Sequence, residues 1–295
     1  MRKQSLLNYL VPLIGLLAMI TASAGLLVRG EDEPFVFISV HDENVELFGR
    51  GLYANDTLMA AAGFKGTDLI TLFVGIPLLA LSFRSYQQRK IRGGILLAGV
   101  ISYFLYYGAS MTFAAAYNPL FLVYTALFSS SLFVFIVIIS SIDPHQLETR
   151  DLKTMSNIRI AIYFFIAGTV VLVLWGMEIV SGLITGEPPI LLAHYTTAVT
   201  HAIDMGVIAP TAFYVGIKIL HKNPNGYRFG LPLIILNVLI GLCVISQTIM
   251  QISYGVELHP GQIIGIVGSW LVLGLMALLS GISLYKNLCE IPEIV

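Results

Sequence analysis

Charge is what this sequence most conspicuously lacks. Only 11% of its 295 residues are Asp, Glu, Lys or Arg, less than half of the roughly 25% found in a soluble domain. Against that, 57% are apolar and the mean hydropathy is +0.85. A soluble globule, a disordered chain and a coiled coil are excluded. Sixteen basic and seventeen acidic residues leave a net charge of −1, so no field draws in a polyanion and nucleic acid is excluded as a partner. Cysteine is nearly absent: Cys243 in an apolar run and Cys289 in the C-terminal tail make neither a metal site nor a redox pair unaided. Phosphate-loop, nucleotide-fold, nucleophile-elbow and H-E-x-x-H patterns are also missing.

What is present is a series of long apolar runs. A spanning helix needs about 20 such residues, and eight stretches qualify: 6–28, 68–84, 94–116, 119–142, 159–183, 199–220, 229–253 and 262–285. The second is short, so its helix can begin before Asp68. The runs are continuous rather than alternating, which selects helices over a barrel. The expected fold is all-α, a polytopic transmembrane bundle whose partner is the lipid bilayer. Arg2, Lys3, Arg84, Arg89, Lys90, Arg92, Arg150, Lys153, Arg159, Lys218, Lys222, Arg228 and Lys286 fall on one side. Only Arg29, Arg50 and Lys65 fall on the other, a partition of thirteen to three. The rule that basic loops stay inside then puts both termini in the cytoplasm of a plasma or inner membrane. Met1-Arg2-Lys3-Gln4 and Ala22-Ser23-Ala24 around the first run resemble a secretory signal. The run exceeds an ordinary signal core, so a retained span is expected over a cleaved one.

Residues 29–67 are the one sizeable exterior segment. Phe35 to Val40, His41 to Asn44 and Val45 to Phe48 read as strand, turn and strand, a small hairpin that must pack on the helix ends to be stable. Leu58 to Phe64 reads as apolar chain at the interface. Asp68 with Pro77 and Gly94, and Asp204 with Pro210 and Gly230, mark the second and sixth spans alike. The Asp-to-Gly distance is 26 residues in both, which suggests a 4+4 parallel repeat; the alternative is that any such helix starts polar and ends basic.

Gly66-Thr67-Asp68-Leu69-Ile70-Thr71-Leu72, Tyr117-Asn118-Pro119-Leu120-Phe121-Leu122 and Ala202-Ile203-Asp204-Met205-Gly206-Val207-Ile208-Ala209-Pro210 resemble segments of uncharacterised prokaryotic multi-pass integral membrane proteins. The resemblance extends from about Gly51 through the seventh span. It implies a prokaryotic inner-membrane setting and brings no activity with it.

Ionisable and polar residues in a membrane are functional candidates by default, and here they crowd the exterior half: Asp56, Asp68, Glu178, His194, His201, Asp204, the amides Gln247 and Gln251 and, in the last exterior loop, His259. If residues 190–209 are helical, His194 and His201 share a face and Asp204 lies beside it. His and carboxylate ligands suit a divalent metal such as Zn²⁺. But ligands two turns apart stand about 10 Å from each other, so a site would need a helix break or a ligand such as His259 or Glu178. Without metal, His194 sits at headgroup level and His201 bonds a neighbouring helix. Asp68 is expected either to N-cap its span or, with Lys65 and Thr71 as partners, to approach a pocket lined by Asp204 and His201. Tyr103, Tyr106, Tyr107 and Tyr117 read as an aromatic belt, with Tyr103 and Tyr107 also candidates for the pocket wall. Gly261, Gly265, Gly268 and Ser269 read as a close-packing face of the eighth span.

Three functions stay open: a receptor-like or accessory protein binding a small solute or ion from outside, with Asp204, His201, Asp68, Glu178, Gln247, Gln251 and Tyr107 as its site; a small-solute or ion transporter; and a membrane-embedded metal-dependent hydrolase using His194, His201 and Asp204.

Overall fold

The computed structural model describes residues 2–30, 33–40, 42–88, 91–144, 147, 154–189 and 192–287. His41, Arg89, Lys90, Arg150, Lys153 and Cys289, which entered the turn, topology and cysteine expectations, lie outside the described residues.

Among them the chain forms eight helices: α1 (Arg2–Leu27), α2 (Leu58–Gln87), α3 (Ile91–Phe113), α4 (Phe121–Ser141), α5 (Thr154–Thr185), α6 (Val199–Leu220), α7 (Pro224–Ser253) and α8, which runs from Pro260–Ile263 through Ile264–Gly268 to Ser269–Asn287. Seven are long and apolar enough to cross a membrane; α8 contributes a shorter apolar stretch, Ser269–Tyr285. Most connections are short, which makes consecutive helices antiparallel. The bundle is therefore all-α and polytopic, as expected. One element departs from that plan: β1 (Phe35–Ile38) pairs antiparallel with β2 (Asn44–Leu47), Phe35 opposite Leu47 and Ile38 opposite Asn44. This hairpin rests on the bundle through buried Phe48, whose ring meets Tyr254 at 5.7 Å and whose N–H donates to the Asp56 carbonyl.

The second span begins ten residues earlier than its apolar run. Thr57, not Asp68, caps α2, its hydroxyl accepting from the Ala60 N–H at 3.2 Å. Leu58 to Phe64 is the first part of a spanning helix and not interfacial chain, and Asp68 sits in the helix interior. Burial explains the discrepancy: Ala61, Ala62, Gly63, Lys65, Gly66 and Asp68 are all enclosed, so the polar residues that interrupt the run never meet lipid.

The two halves close the same ring. In the first, α1 packs on α2, α2 on α3, α3 on α4 and α4 back on α1; in the second, α5, α6, α7 and α8 do the same. The equivalent helices α3 and α7 pack on each other at the centre and are the most enclosed, 78% and 61% of their spanning stretches being buried against 33% for α2 and α6. Helices α2 and α6 each break into a π-turn, Thr71–Gly75 and Asp204–Ile208, and a proline follows at the same offset. A π-turn holds one extra residue and widens the helix, which makes room for a ring that would otherwise strike the carbonyl of the preceding turn. Pro77 and Pro210 are 133 residues apart, and so are Thr71 and Asp204, Gly93 and Gly226, and Gly108 and Gly241. Gly93 and Gly226 are alike in space as well: a Cβ on either would meet the backbone of the preceding helix within 3 Å. The repeat is thus in register, but with Thr71 opposite Asp204 and Asp68 opposite His201. The equal Asp-to-Gly spacing in the sequence matched the wrong carboxylates.

Candidate functional site

Asp68 lies at the meeting point of three elements. Tyr53, in the short helical turn Gly51–Tyr53 before α2, donates its hydroxyl to Oδ2 at 2.7 Å, and Tyr107 of α3 donates to Oδ1 at 2.5 Å. The end of α1 closes the third side, where a Cβ on Gly25 would stand 1.9 Å from Oδ2. Lys65, one turn before Asp68, gives its ammonium to the Gly25 carbonyl at 2.7 Å. One turn further along α2, Thr71 shares a 2.7 Å hydrogen bond with the Tyr103 hydroxyl, which lies 3.4 Å from the Cys243 sulfur of α7. Tyr103 and Tyr107 stack in parallel, centroids 6.4 Å apart. A carboxylate taken out of water needs donors on both oxygens, and Asp68 has them.

Asp204, in the second half, also has a donor on each oxygen. Tyr106 of α3 donates to Oδ1 at 3.0 Å and Trp175 of α5 donates Nε1–H to Oδ2 at 2.9 Å. Trp175 and Glu178 are three apart on α5; His201 and Asp204 are three apart on α6, so two pairs face each other across one helix contact. His201 Nε2 lies 3.0 Å from Glu178 Oε2, and the Trp175 ring covers His201 with centroids 4.1 Å apart. Glu178 Oε1 is buried without a partner. Because Tyr103, Tyr106 and Tyr107 occupy adjoining faces of α3, that one helix supplies donors to both networks.

A third carboxylate stands at the hairpin end, outside the spans. Asp56 Oδ1 accepts from the Tyr195 hydroxyl at 2.6 Å and from the Ala116 N–H at 2.8 Å, while Oδ2 is buried without a partner. Burial pushes this carboxyl up to about 6, in spite of its two donors. His194 lies in contact with Tyr195, at 4.2 Å between centroids, and edge-on to Phe37 of the hairpin at 6.3 Å. Burial lowers its imidazole.

No family model, curated protein or solved structure matches the chain.

Several expectations change on this geometry. Asp68 and Asp204 do not open onto one cavity; each is closed over by its own donors, 0% and 3% exposed. The bundle does hold a small, partly open cavity of about 10 Å³, room for at most one water, but Val171, Ile208, Ala212, Asn237 and Leu273 line it. His194, His201 and Asp204 are held by different partners. Among the described residues no three His, Cys, Asp or Glu side chains form a group able to hold a metal ion. Gln247 donates to the Thr67 hydroxyl at 2.8 Å and Gln251 to the Met59 carbonyl at 3.1 Å, so both amides tie α7 to α2. Tyr103 and Tyr107 are fully buried donors rather than a belt, whereas Tyr117, 78% exposed, keeps the belt position. Gly265 and Gly268 of α8 have nothing within 4 Å of a Cβ and form no packing face in this chain. Tyr53, Trp175 and Tyr195 were missed. Of these only Trp175 left a signal in the sequence, as the aromatic one helical turn before Glu178.

Proposed function

We propose that this integral membrane protein is a transporter of a small solute or ion, working in the inner membrane of a prokaryote with both termini in the cytoplasm. One observation carries the reading: the two halves place a π-turn and a proline at equivalent points of α2 and α6, with a polar pair at the head of each turn, Asp68 with Thr71 and His201 with Asp204. Paired helix breaks at corresponding positions of a repeat, with charged groups beside them, are the arrangement on which alternating access is built, and π-turns concentrate at functional sites. Tyr106 of central α3, in the first half, donates to Asp204 in the second, so movement of one half against the other changes the donors around Asp204.

The receptor-like reading draws on a different observation, the concentration of ionisable groups toward the hairpin end, with Asp56 and His194 beyond the spans. Flux separates the two. In proteoliposomes offered a panel of small cations, anions and amino acids under an imposed gradient, the wild type is expected to move at least one class. Asp68→Asn and Asp204→Asn should each lower that flux at least tenfold with the protein still inserted and folded. Binding from the hairpin side with no net flux, or wild-type flux in both variants, would decide against transport.

A further inference from the structure

Transport driven through Asp204 requires an ion that Asp204 can hold, and the donors around it restrict which. The Trp175 indole nitrogen is a donor only; its hydrogen points at Oδ2 from 2.9 Å, and the Tyr106 hydroxyl points its own at Oδ1. Both oxygens therefore face hydrogens, Trp175 has no lone pair to offer a metal cation, and among the described residues no three His, Cys, Asp or Glu side chains come together to hold one. The remaining groups around the carboxylate are His201, one turn away on α6, Glu178 on α5, bonded to His201, and Cys243 on α7, which lies toward Tyr106. Among the described residues no lysine or arginine is bonded to Asp204. Left charged, it would be a buried anion served by neutral donors alone. A proton neutralises it without displacing either of them, because a protonated carboxyl keeps acceptor capacity on both oxygens.

We infer that the ion bound at this centre is the proton, with Asp204 as its carrier and the Glu178–His201 pair as its exchange point toward the hairpin end. This rests on the transport reading for its purpose but not for its chemistry. Glu178 and His201 are suited to exchange because they are only partly enclosed, at 23% and 10% side-chain exposure, and Glu178 Oε1 is an acceptor still without a partner. The Trp175 ring spans the gap, with its face on His201 and its N–H on Asp204.

That placement makes Trp175 a reporter of the proton on Asp204. The chain has two tryptophans, Trp175 and Trp270, so Trp270→Phe leaves Trp175 as the only tryptophan in otherwise full-length protein in lipid. Its tryptophan emission, followed from about pH 4 to about pH 9, should pass through a step, since the charge on an indole N–H acceptor perturbs the ring. Asp204→Asn should abolish that step and His201→Gln should leave it in place. Tyr106→Phe, which keeps Asp204 and removes one donor from its charged form, should raise the Asp204 midpoint by about one pH unit, a tenfold gain in proton affinity. The Tyr106 variant keeps the test decisive should Asp204→Asn fail to fold. A curve without a step sensitive to Asp204 or Tyr106, or one lost wholly with His201, overturns the assignment. The Asp204 step as expected in protein that shows no flux would leave the proton site standing and refute transport; flux without an Asp204-sensitive step would do the reverse.

Discussion

Asp56 shows most simply how one buried carboxylate couples this molecule to pH. Its Oδ1 has two donors and its Oδ2 none, so burial outweighs hydrogen bonding and lifts the carboxyl from 3.8 to about 6. Below pH 3.8 folded and unfolded chains both hold the proton and the contribution of this group is intact. As pH rises toward 6 the unfolded chain releases it first, so stability falls; above 6 the loss is complete. At about 1.4 kcal/mol per pH unit this amounts to ~3 kcal/mol. Asp56→Asn should flatten thermal stability across that window and raise the melting temperature at pH 7.5. A lower melting temperature than wild type at pH 7.5 would mean that the site is built for the anion. Gly25 gives a steric counterpart. A methyl group there would overlap Asp68 Oδ2 at 1.9 Å, so Gly25→Ala should displace α1 or the carboxylate and lower thermal stability by several degrees. An unchanged melting curve would contradict the contact.

The hydrophobic signal is sufficient for most helices, because lipid offers backbone groups no alternative partner; α1 and α3 to α7 lie where their apolar runs predict. It fails at the start of α2 for a definite reason. Lys65 and Asp68 look like the end of the membrane in a sequence, and only their partners, Gly25, Tyr53 and Tyr107, twelve or more residues away, make them tolerable inside it. Such long-range pairing leaves no local pattern, and a buried tyrosine reads the same as one in the belt. The α2–α7 contact was equally hidden: a Cβ on Gly66 would stand 2.5 Å from Gln247 Cα, and Ser246 donates to the Gly66 carbonyl at 2.8 Å. Gly66→Leu should force these helices apart and destabilise the fold, while Gly206→Leu, at a position with nothing within 4 Å, should not. Equal melting temperatures for the two would contradict the close approach. The π-turns allow a test of their own. Each holds one residue more than an α-turn, so deleting Val207, 58% exposed, should restore a continuous α6 with its flanks in register. The expected result is a folded protein with at least tenfold less flux, and undiminished flux would remove the hinge from the mechanism.

At the scale of the whole molecule, the repeat suggested by Asp, Pro and Gly spacing is present, in a register the spacing alone did not reveal. Two rings of four helices meet where α7 packs on α2 and α3, and the polar layer at their breaks is His201–Asp204 in one half and Asp68–Thr71 in the other. The candidate site was legible as a set of unusual residues but not as an arrangement, because its donors are tyrosines and a tryptophan contributed by other helices. Topology follows the same layout. The described basic residues Arg84, Arg92, Arg159, Lys218, Lys222 and Arg228 lie at the end away from the hairpin, and Arg29, Arg50 and Lys65 at the hairpin end. Tags on either terminus should therefore be protected from protease in intact spheroplasts, and digestion of either would reverse the proposed orientation. Transport requires the layer at the paired π-turns to open to each side of the membrane in turn. Thr71→Cys, at a fully buried position at the head of the α2 π-turn, tests it in a background where Cys243 and Cys289 are serine. A membrane-impermeant thiol reagent added to one side at a time should label Cys at position 71 from both sides, at rates that shift with pH. Labelling from the hairpin side alone, or from neither side, would contradict alternating access.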